Sequence, residues 1–235
     1  VIDAGNADAH MAAAIAQLVR LQSIPLPADI PVFGEALLQR DAGLFEEWFV
    51  RRHLGIELDC GDAERLALAQ RRLMDTLLAQ PRVPVHRDYM PRNLMPVQSR
   101  LVDDGPAVLD FQDLVLGPIG YDPASLLRDA FLSWPEPRVE GWLRDYHARA
   151  AAAGLPVPAL AVFLRDADWC GVQRHLKILG IFARLHHRDG KPRYLADAPR
   201  FLAYLDAVMP KYRELDPLRE LLDRTLKPAF AKMAA

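Results

Sequence analysis

Between residues 84 and 109 the chain abandons the 3.6-residue apolar period that governs it on either side, and this break constrains the fold more than any other feature of the 235 residues. Before the break, Met11, Ile15, Leu18 and Val19 recur at helical spacing within 10–22. After a proline-rich connection at 25–31, Leu37, Leu38, Leu44, Phe45, Trp48 and Phe49 carry the period to about Leu54, and Leu66, Leu73, Leu77 and Leu78 carry it to Pro81. Beyond the break a helix is expected to open with Asp122 at the N-cap and Pro123 at N1, ahead of Leu126, Leu127 and Phe131. Further helices are expected near 138–153, 158–187, 196–209 and 215–229. Inside the break, short apolar runs are interrupted by Pro91, Pro96 and Asp104-Gly105. The Asp-Gly pair signals a hairpin with arms at 94–97 and 107–109. The resulting fold class is mainly α, with one small β-hairpin.

Composition excludes several functions. Hydrophobic residues make up 51% and charged residues 26% of the chain, with a mean hydropathy of -0.03, as in soluble globular domains. No apolar run approaches the roughly 20 residues of a spanning helix. Lys and Arg number 29 against 31 Asp and Glu, a net charge of -2, so nothing in the charge favours nucleic acid or an anionic membrane as partner. Cys60 and Cys170 lie far apart without metal-ligand spacing, which fits a reducing cytoplasm. The chain opens on Val1 with neither signal nor transit peptide, and it reads as a fragment whose start has been lost.

The polar residues around the hairpin carry the chemistry. His86-Arg87-Asp88 leads after five residues to Asn93, and the apolar run Val108-Leu109 ends on Asp110. Phosphoryl transfer asks little covalent help of a protein, but it needs an acceptor oxygen in line and dense negative charge neutralised. Asp88, in a loop just after an apolar strand, can accept the hydrogen bond of an acceptor hydroxyl and take its proton. Asn93 and Asp110 are hard oxygen donors of the kind magnesium prefers. An H-R-D triplet alone is cheap; the weight lies in the Asp, the Asn and the strand-terminal Asp occurring in order around a hairpin. Gln112 and Asp113 come next, where a ligand-facing turn would lie, Asp113 serving either a sugar hydroxyl or a turn cap. Arg92 is read either as a phosphate or substrate contact or as a solvated loop residue.

The expected helix at 158–187 is the candidate acceptor wall. Gln173, Lys177 and Arg184 share one face, and Gly180 between them permits close approach of backbone or ligand. Arg174 lies on the apolar face of Ile178, Ile181 and Leu185, so it needs a carboxylate: a substrate's, or an internal one such as Asp168 or Asp122. His175 reads as a packed helix residue. Trp48 reads as core, with Glu46 beside it a weaker substrate candidate.

The run Val85-His86-Arg87-Asp88 through Asn93, then Leu109-Asp110-Phe111-Gln112-Asp113, Gly117-Pro118 and Tyr121-Asp122, resembles the aminoglycoside phosphotransferase and choline kinase superfamily across nearly the whole chain. Within it, 109–113 and 173–185 look like the bacterial anomeric sugar kinases, which act on N-acetylmuramic acid and N-acetylglucosamine in cell-wall recycling. The resemblance implies an ATP-dependent enzyme with Asp88 as base, Asn93 and Asp110 holding magnesium, and His86, Arg87 and Asp122 supporting the catalytic loop. It also implies that residues 1–235 form the C-terminal catalytic lobe of an α+β protein-kinase-like fold. The nucleotide-binding lobe is then expected before Val1, since no glycine-rich loop or strand lysine precedes Asp88. Arg87 departs from the Gly common at that position in aminoglycoside kinases. Gln173, Arg174 and Lys177 suggest a neutral or basic pocket, which favours a sugar over the polycations of an aminoglycoside or choline-type kinase. A non-catalytic, pseudokinase-like binding module is the alternative of a different class.

Overall fold

The computed structural model describes residues 2–96 and 105–234. In chain order it contains α1 (Ala7–Gln22), α2 (Glu35–Leu44) running into a π-helical segment (Phe45–His53), and α3 (Cys60–Ala79). Next come β1 (Arg82–Val85), a 3-10 turn (Pro91–Asn93), β2 (Leu94–Met95), β3 (Ala107–Val108) and β4 (Val115–Pro118). The rest is α4 (Tyr121–Leu127), α5 (Glu136–Ala152), α6 (Leu160–His187), α7 (Ala198–Val208), α8 (Asp216–Leu221), a second π-helical segment (Leu222–Leu226) and α9 (Lys227–Ala234). Among the described residues helices dominate and the strands form two small sheets, an α+β arrangement. β2 and β3 pair antiparallel, Leu94 with Val108 and Met95 with Ala107. Of the expected turn between them, Gly105 has a φ of 77°, while Val97 and Asp104 lie outside the described residues. The chain forms two compact units.

The first unit joins Val1–Phe33 to Leu78–Asp168. Its sheet pairs β1 with β4 antiparallel, in the register Val83 to Gly117 and Val85 to Val115. The proline-rich connection adds backbone on the far edge of β4: Phe33 N–H donates to Leu116 O at 2.9 Å, and Leu116 N–H to Pro31 O at 2.9 Å. Sequence periodicity did not separate β4 from its surroundings. What decides it is close approach, since a Cβ on Gly117 would sit 2.9 Å from Phe33 Cβ and 3.2 Å from Val85 Cγ2. α1 packs on α5 through faces that bury Met11, Ile15 and Leu18 on one side and Val139, Leu143 and Tyr146 on the other. Every residue of α4 is buried, so that helix is enclosed on all sides.

A buried guanidinium closes this unit. Arg128, 1% exposed, donates through Nη2 to Asp168 Oδ1 at 2.7 Å and to Glu136 Oε2 at 3.0 Å, and through Nε to Glu136 Oε1 at 3.2 Å. Two carboxylates compensate one desolvated cation, which is the condition under which a buried charge is tolerated.

The second unit joins Gly34–Leu77 to Trp169–Ala235. In its π-helical segment the pairs five residues apart meet, Glu46 with Arg51 at 2.9 Å and Glu47 with Arg52 at 3.1 Å, as the wider i to i+5 winding requires. Gly180 lies against the junction of α2 and this segment: an added Cβ would be 2.4 Å from Leu44 C and O and 2.7 Å from Phe45 N. The close approach expected at Gly180 is thus one of backbone to backbone. Asp62 collects Arg65, Arg224 and Thr225 around one carboxylate. His53 Nδ1 and His187 Nε2 are 3.2 Å apart, and partial burial, with the neighbouring charges of His187 and His186, drives the pKa of His53 down from 6.5 to about 4.

Stability should respond at two of these positions. Gly180→Ala forces atoms into the Leu44 carbonyl, and the unfolding free energy from urea titration should fall by about 1–3 kcal/mol or more. Because His53 protonates less readily folded than unfolded, its contribution is present above pH 6.5 and is lost as pH falls towards 4. Thermal midpoints across that window should therefore drop less steeply for His53→Asn than for the unsubstituted protein.

Candidate active site

β1 delivers the chain into 86–93, and α4 holds that loop from below. Asp122, fully buried, accepts the backbone N–H of His86 at 2.7 Å through Oδ2 and that of Arg87 at 3.0 Å through Oδ1. This corrects the expectation that Asp122 caps α4. The helix opens one residue earlier, Gly120 stands at the N-cap without a side-chain cap, and Pro123 lies inside the first turn. The Asp122 carboxylate reaches across to another segment instead, still within the favourable field of the helix N-terminus. Gly120 N–H donates to Gln80 Oε1 at 3.0 Å, so the helix start is fixed by a side chain from outside it. The clamp has something to hold, since Arg87 has a φ of 74°, a left-handed conformation that costs a non-glycine residue about 1–2 kcal/mol.

The His86 ring is buried, and its Nε2 bonds Leu109 O at 2.9 Å. Leu109 N–H in turn donates to Asn93 O at 2.8 Å. The Leu109 backbone is therefore held through both its N–H and its C=O, by the residues that end and begin the loop. Asn93 donates its own N–H to Met90 O at 2.9 Å and its side-chain Nδ2 to Asp88 O at 2.8 Å. A carboxamide that donates through nitrogen keeps its oxygen as an acceptor. Tyr89 anchors the loop to α1 through its hydroxyl, which donates to Ala14 O at 2.8 Å. Burial, then the Asp122 charge, pushes the Tyr89 pKa far up, so it stays a donor.

Asp110 comes next, exposed and with a φ of 65°. Its Oδ1 accepts Gln112 Nε2 at 2.6 Å. Asp113 is exposed in the 111–114 turn, which Leu114 N–H closes on Phe111 O at 3.1 Å. Asp88 is half-buried in the loop. Asn93 and Asp110 thus leave the β2–β3 pair at one end, each adjacent to or part of the Asn93–Leu109 backbone bond. A carboxylate and a carboxamide oxygen suit magnesium, which takes one or two protein oxygens and fills its shell with water and phosphate. Among the described residues no group of three or more His, Cys, Asp or Glu is shaped for a metal, as such an ion does not require. Arg92 is exposed, its guanidinium stacked on the Phe131 ring at 3.2 Å from the centroid. Phe131, Tyr89 and Gln80 were not singled out from sequence as parts of the site. Of the three, Tyr89 alone sits inside the motif, where its position could have pointed to it.

The remaining candidates belong to the second unit. Gln173, Arg174 and Lys177 are buried, and Lys177 Nζ pairs with Asp41 Oδ2 at 3.2 Å. Gln173 and Lys177 line a cavity of about 10 Å³ with Leu38, Gln70 and Met74, room for a single water. Glu46 is half-buried and paired with Arg51. His175 stacks on Tyr204, with ring centroids 4.7 Å apart.

Residues 2–161, which include this whole loop, match the phosphotransferase enzyme family. The chain belongs to that family. The chain is 52% identical over 223 residues to the N-acetylmuramate/N-acetylglucosamine kinase of Pseudomonas putida, covering 94% of this chain and 64% of that protein. It is 48% identical over 210 residues to the protein of the same name from Neisseria meningitidis serogroup B, covering 89% and 61%. The chain thus spans about 64% of the length of the first of these relatives. Its fold is like that of the GDP complex of aminoglycoside 2'-phosphotransferase-IIIa, with a TM-score of 0.54 at 18% identity over 83% of this chain and 63% of that one. It is also like choline kinase from Cryptosporidium parvum, with a TM-score of 0.54 at 15% identity over 94% and 68%. Among the described residues no helix is long and apolar enough to cross a membrane.

The Asp122 clamp yields a direct check. Asp122→Asn keeps one acceptor but turns an amide towards the second loop N–H, and stability should fall by about 2 kcal/mol. Hydrogen exchange should quicken at the His86 and Arg87 amides while the α5 amides keep their protection relative to global unfolding.

Proposed function

We propose that this phosphotransferase carries the acceptor site of an ATP-dependent sugar kinase, transferring phosphoryl to the anomeric C1 hydroxyl of N-acetylmuramic acid or N-acetylglucosamine. The observation that supports this most is the framework holding Asp88, Asn93 and Asp110: one loop, clamped by Asp122 and tied by His86 and Asn93 to the Leu109 peptide. The names of the relatives supply the sugar. In this reading Asp88 accepts the hydrogen bond of the C1 hydroxyl and takes its proton as the C1 oxygen bonds to the γ-phosphorus of ATP and the bond from that phosphorus to the β,γ-bridging oxygen breaks, releasing ADP. An anomeric hydroxyl is more acidic than an ordinary alcohol, so positioning dominates the rate. Asn93 and Asp110 would hold magnesium, which when bound offsets charge on the nucleotide phosphates. His86, Arg87 and Asp122 keep the loop in its left-handed turn, while Gln112 restrains the Asp110 carboxylate and Asp113 offers an acceptor to a sugar hydroxyl. The setting is cytoplasmic, where ATP is abundant and where thiols such as Cys60 and Cys170 stay free.

The test uses the full open reading frame that encodes this chain. Phosphate transfer from ATP is assayed against N-acetylmuramic acid, N-acetylglucosamine, choline and kanamycin, with phosphorus NMR of the products. Turnover is expected with the two sugars, with product phosphorylated at C1. Asp88→Asn should lower kcat by about 10²–10⁴ while leaving nucleotide affinity unchanged. Phosphate at another carbon would refute the anomeric assignment, and unchanged turnover in the variant would remove Asp88 as base.

A further inference from the structure

We infer that Arg92, laid flat on Phe131, is a fixed receptor for a substrate oxyanion beside the catalytic loop, a role that rests on the kinase reading above. Arg92 lies in the 3-10 turn between Asp88 and Asn93. Its guanidinium carbon stands 3.2 Å from the Phe131 centroid, and among the described residues no carboxylate pairs with it. Stacking occupies the face of the guanidinium and leaves its N–H donors in the plane, where they can form two parallel bonds to a carboxylate or phosphoryl group. It also removes much of the rotamer freedom that a long exposed side chain would lose on binding.

The ring beneath is itself held. Asp129, 1% exposed, accepts the N–H of Phe131 and that of Leu132 at 3.0 Å each through one oxygen, a turn that fixes the backbone under the ring. The preceding Arg128 is locked by Glu136 and Asp168. Two buried charged residues thus stiffen the segment that offers one aromatic to the loop. A solvated loop arginine would need no such platform. The oxyanion is either a carboxylate on the acceptor or a phosphate of the nucleotide, the same chemistry from two sources, and the choice of substrates separates them. N-acetylmuramic acid carries a carboxylate; N-acetylglucosamine does not.

Arg92→Gln, Arg92→Lys, Phe131→Leu and Phe131→Tyr are prepared in the full open reading frame, with circular dichroism to verify folding. Losing one charge-assisted contact should raise KM for the oxyanion-bearing substrate about 10–100-fold in Arg92→Gln, with kcat changed far less. Arg92→Lys should recover little, since an ammonium has no planar fork to stack. Phe131→Leu should reproduce part of the loss and Phe131→Tyr restore it, and Phe131→Leu should add nothing in an Arg92→Gln background. A rise confined to N-acetylmuramic acid identifies the carboxylate; a rise in KM for ATP with both sugars identifies the phosphate. Unchanged KM values in Arg92→Gln, or losses at the two positions that simply add, overturn the inference. If the unsubstituted protein phosphorylates neither sugar, the kinase reading fails instead. The receptor is then decided by titrating lactate and inorganic pyrophosphate while tracking the Arg92 Nε–H resonance, identified by its absence from Arg92→Gln. A shift with either anion upholds the inference, and no shift with both ends it.

Discussion

One buried carboxylate organises the first of the two units. Asp122 sits at the start of a helix enclosed on every side, and it spends both oxygens on consecutive backbone N–H groups of a loop 35 residues earlier in the chain. A carboxylate in such a place is stable only when its lone pairs are used, and the loop N–H groups are satisfied only when it is there. Helix and loop are therefore each other's condition. The left-handed turn at Arg87, the bond from His86 to Leu109 and the placing of Asp110 all inherit their positions from that exchange.

Buried charge is handled in the same way elsewhere in each unit. Arg128 is met by two carboxylates, Asp62 by two guanidinium groups and a hydroxyl, and Lys177 by Asp41. Such pairs add little net stability compared with apolar packing, but removing one partner leaves the other as an uncompensated buried charge. The constraint is local: Arg128 ties the backbone leading to Phe131 to Glu136 and Asp168, and the Asp41–Lys177 pair ties α2 to the C-terminal part of α6.

Most helices were legible in the sequence because an apolar stripe repeated over three or more turns has few other interpretations, but α4 stops at Leu127, short of the Phe131 expected on it, and the helix expected at 215–229 is α8, a π-helical segment and α9, running on to Ala234. The pairing of the arms at 94–95 and 107–108 was legible because the Asp-Gly signal is local, but the strand expected to end on Asp110 stops at Val108, and Leu109 is held instead by Asn93 and His86. β4 was not legible. Its four residues end in Gly-Pro, and they become a strand only because Val85 and Phe33 arrive from elsewhere to pair and pack with them. The role of Asp122 was half visible: an acidic residue before Pro123 suits a helix start, but nothing local says that the carboxylate turns towards 86–87. The stacking of Arg92 on Phe131 and the pairing of Lys177 with Asp41 join residues far apart in sequence, with no periodicity to announce them.

The π-helical turn at Phe45–His53 has a consequence for how this chain can change. It acts as a phase shifter, holding one more residue than α-helical winding would need between α2 and the chain beyond it. Loss of a single residue there would leave a continuous helix but rotate everything after it by about 100°. Trp48, Phe49 and Val50, now inward, would be carried round towards solvent, and the contact of Leu44 with Gly180 would have no matching surface beyond it. Length in this segment is thus more tightly constrained than residue identity: its outward side chains can vary freely, while an insertion or deletion amounts to repacking the core.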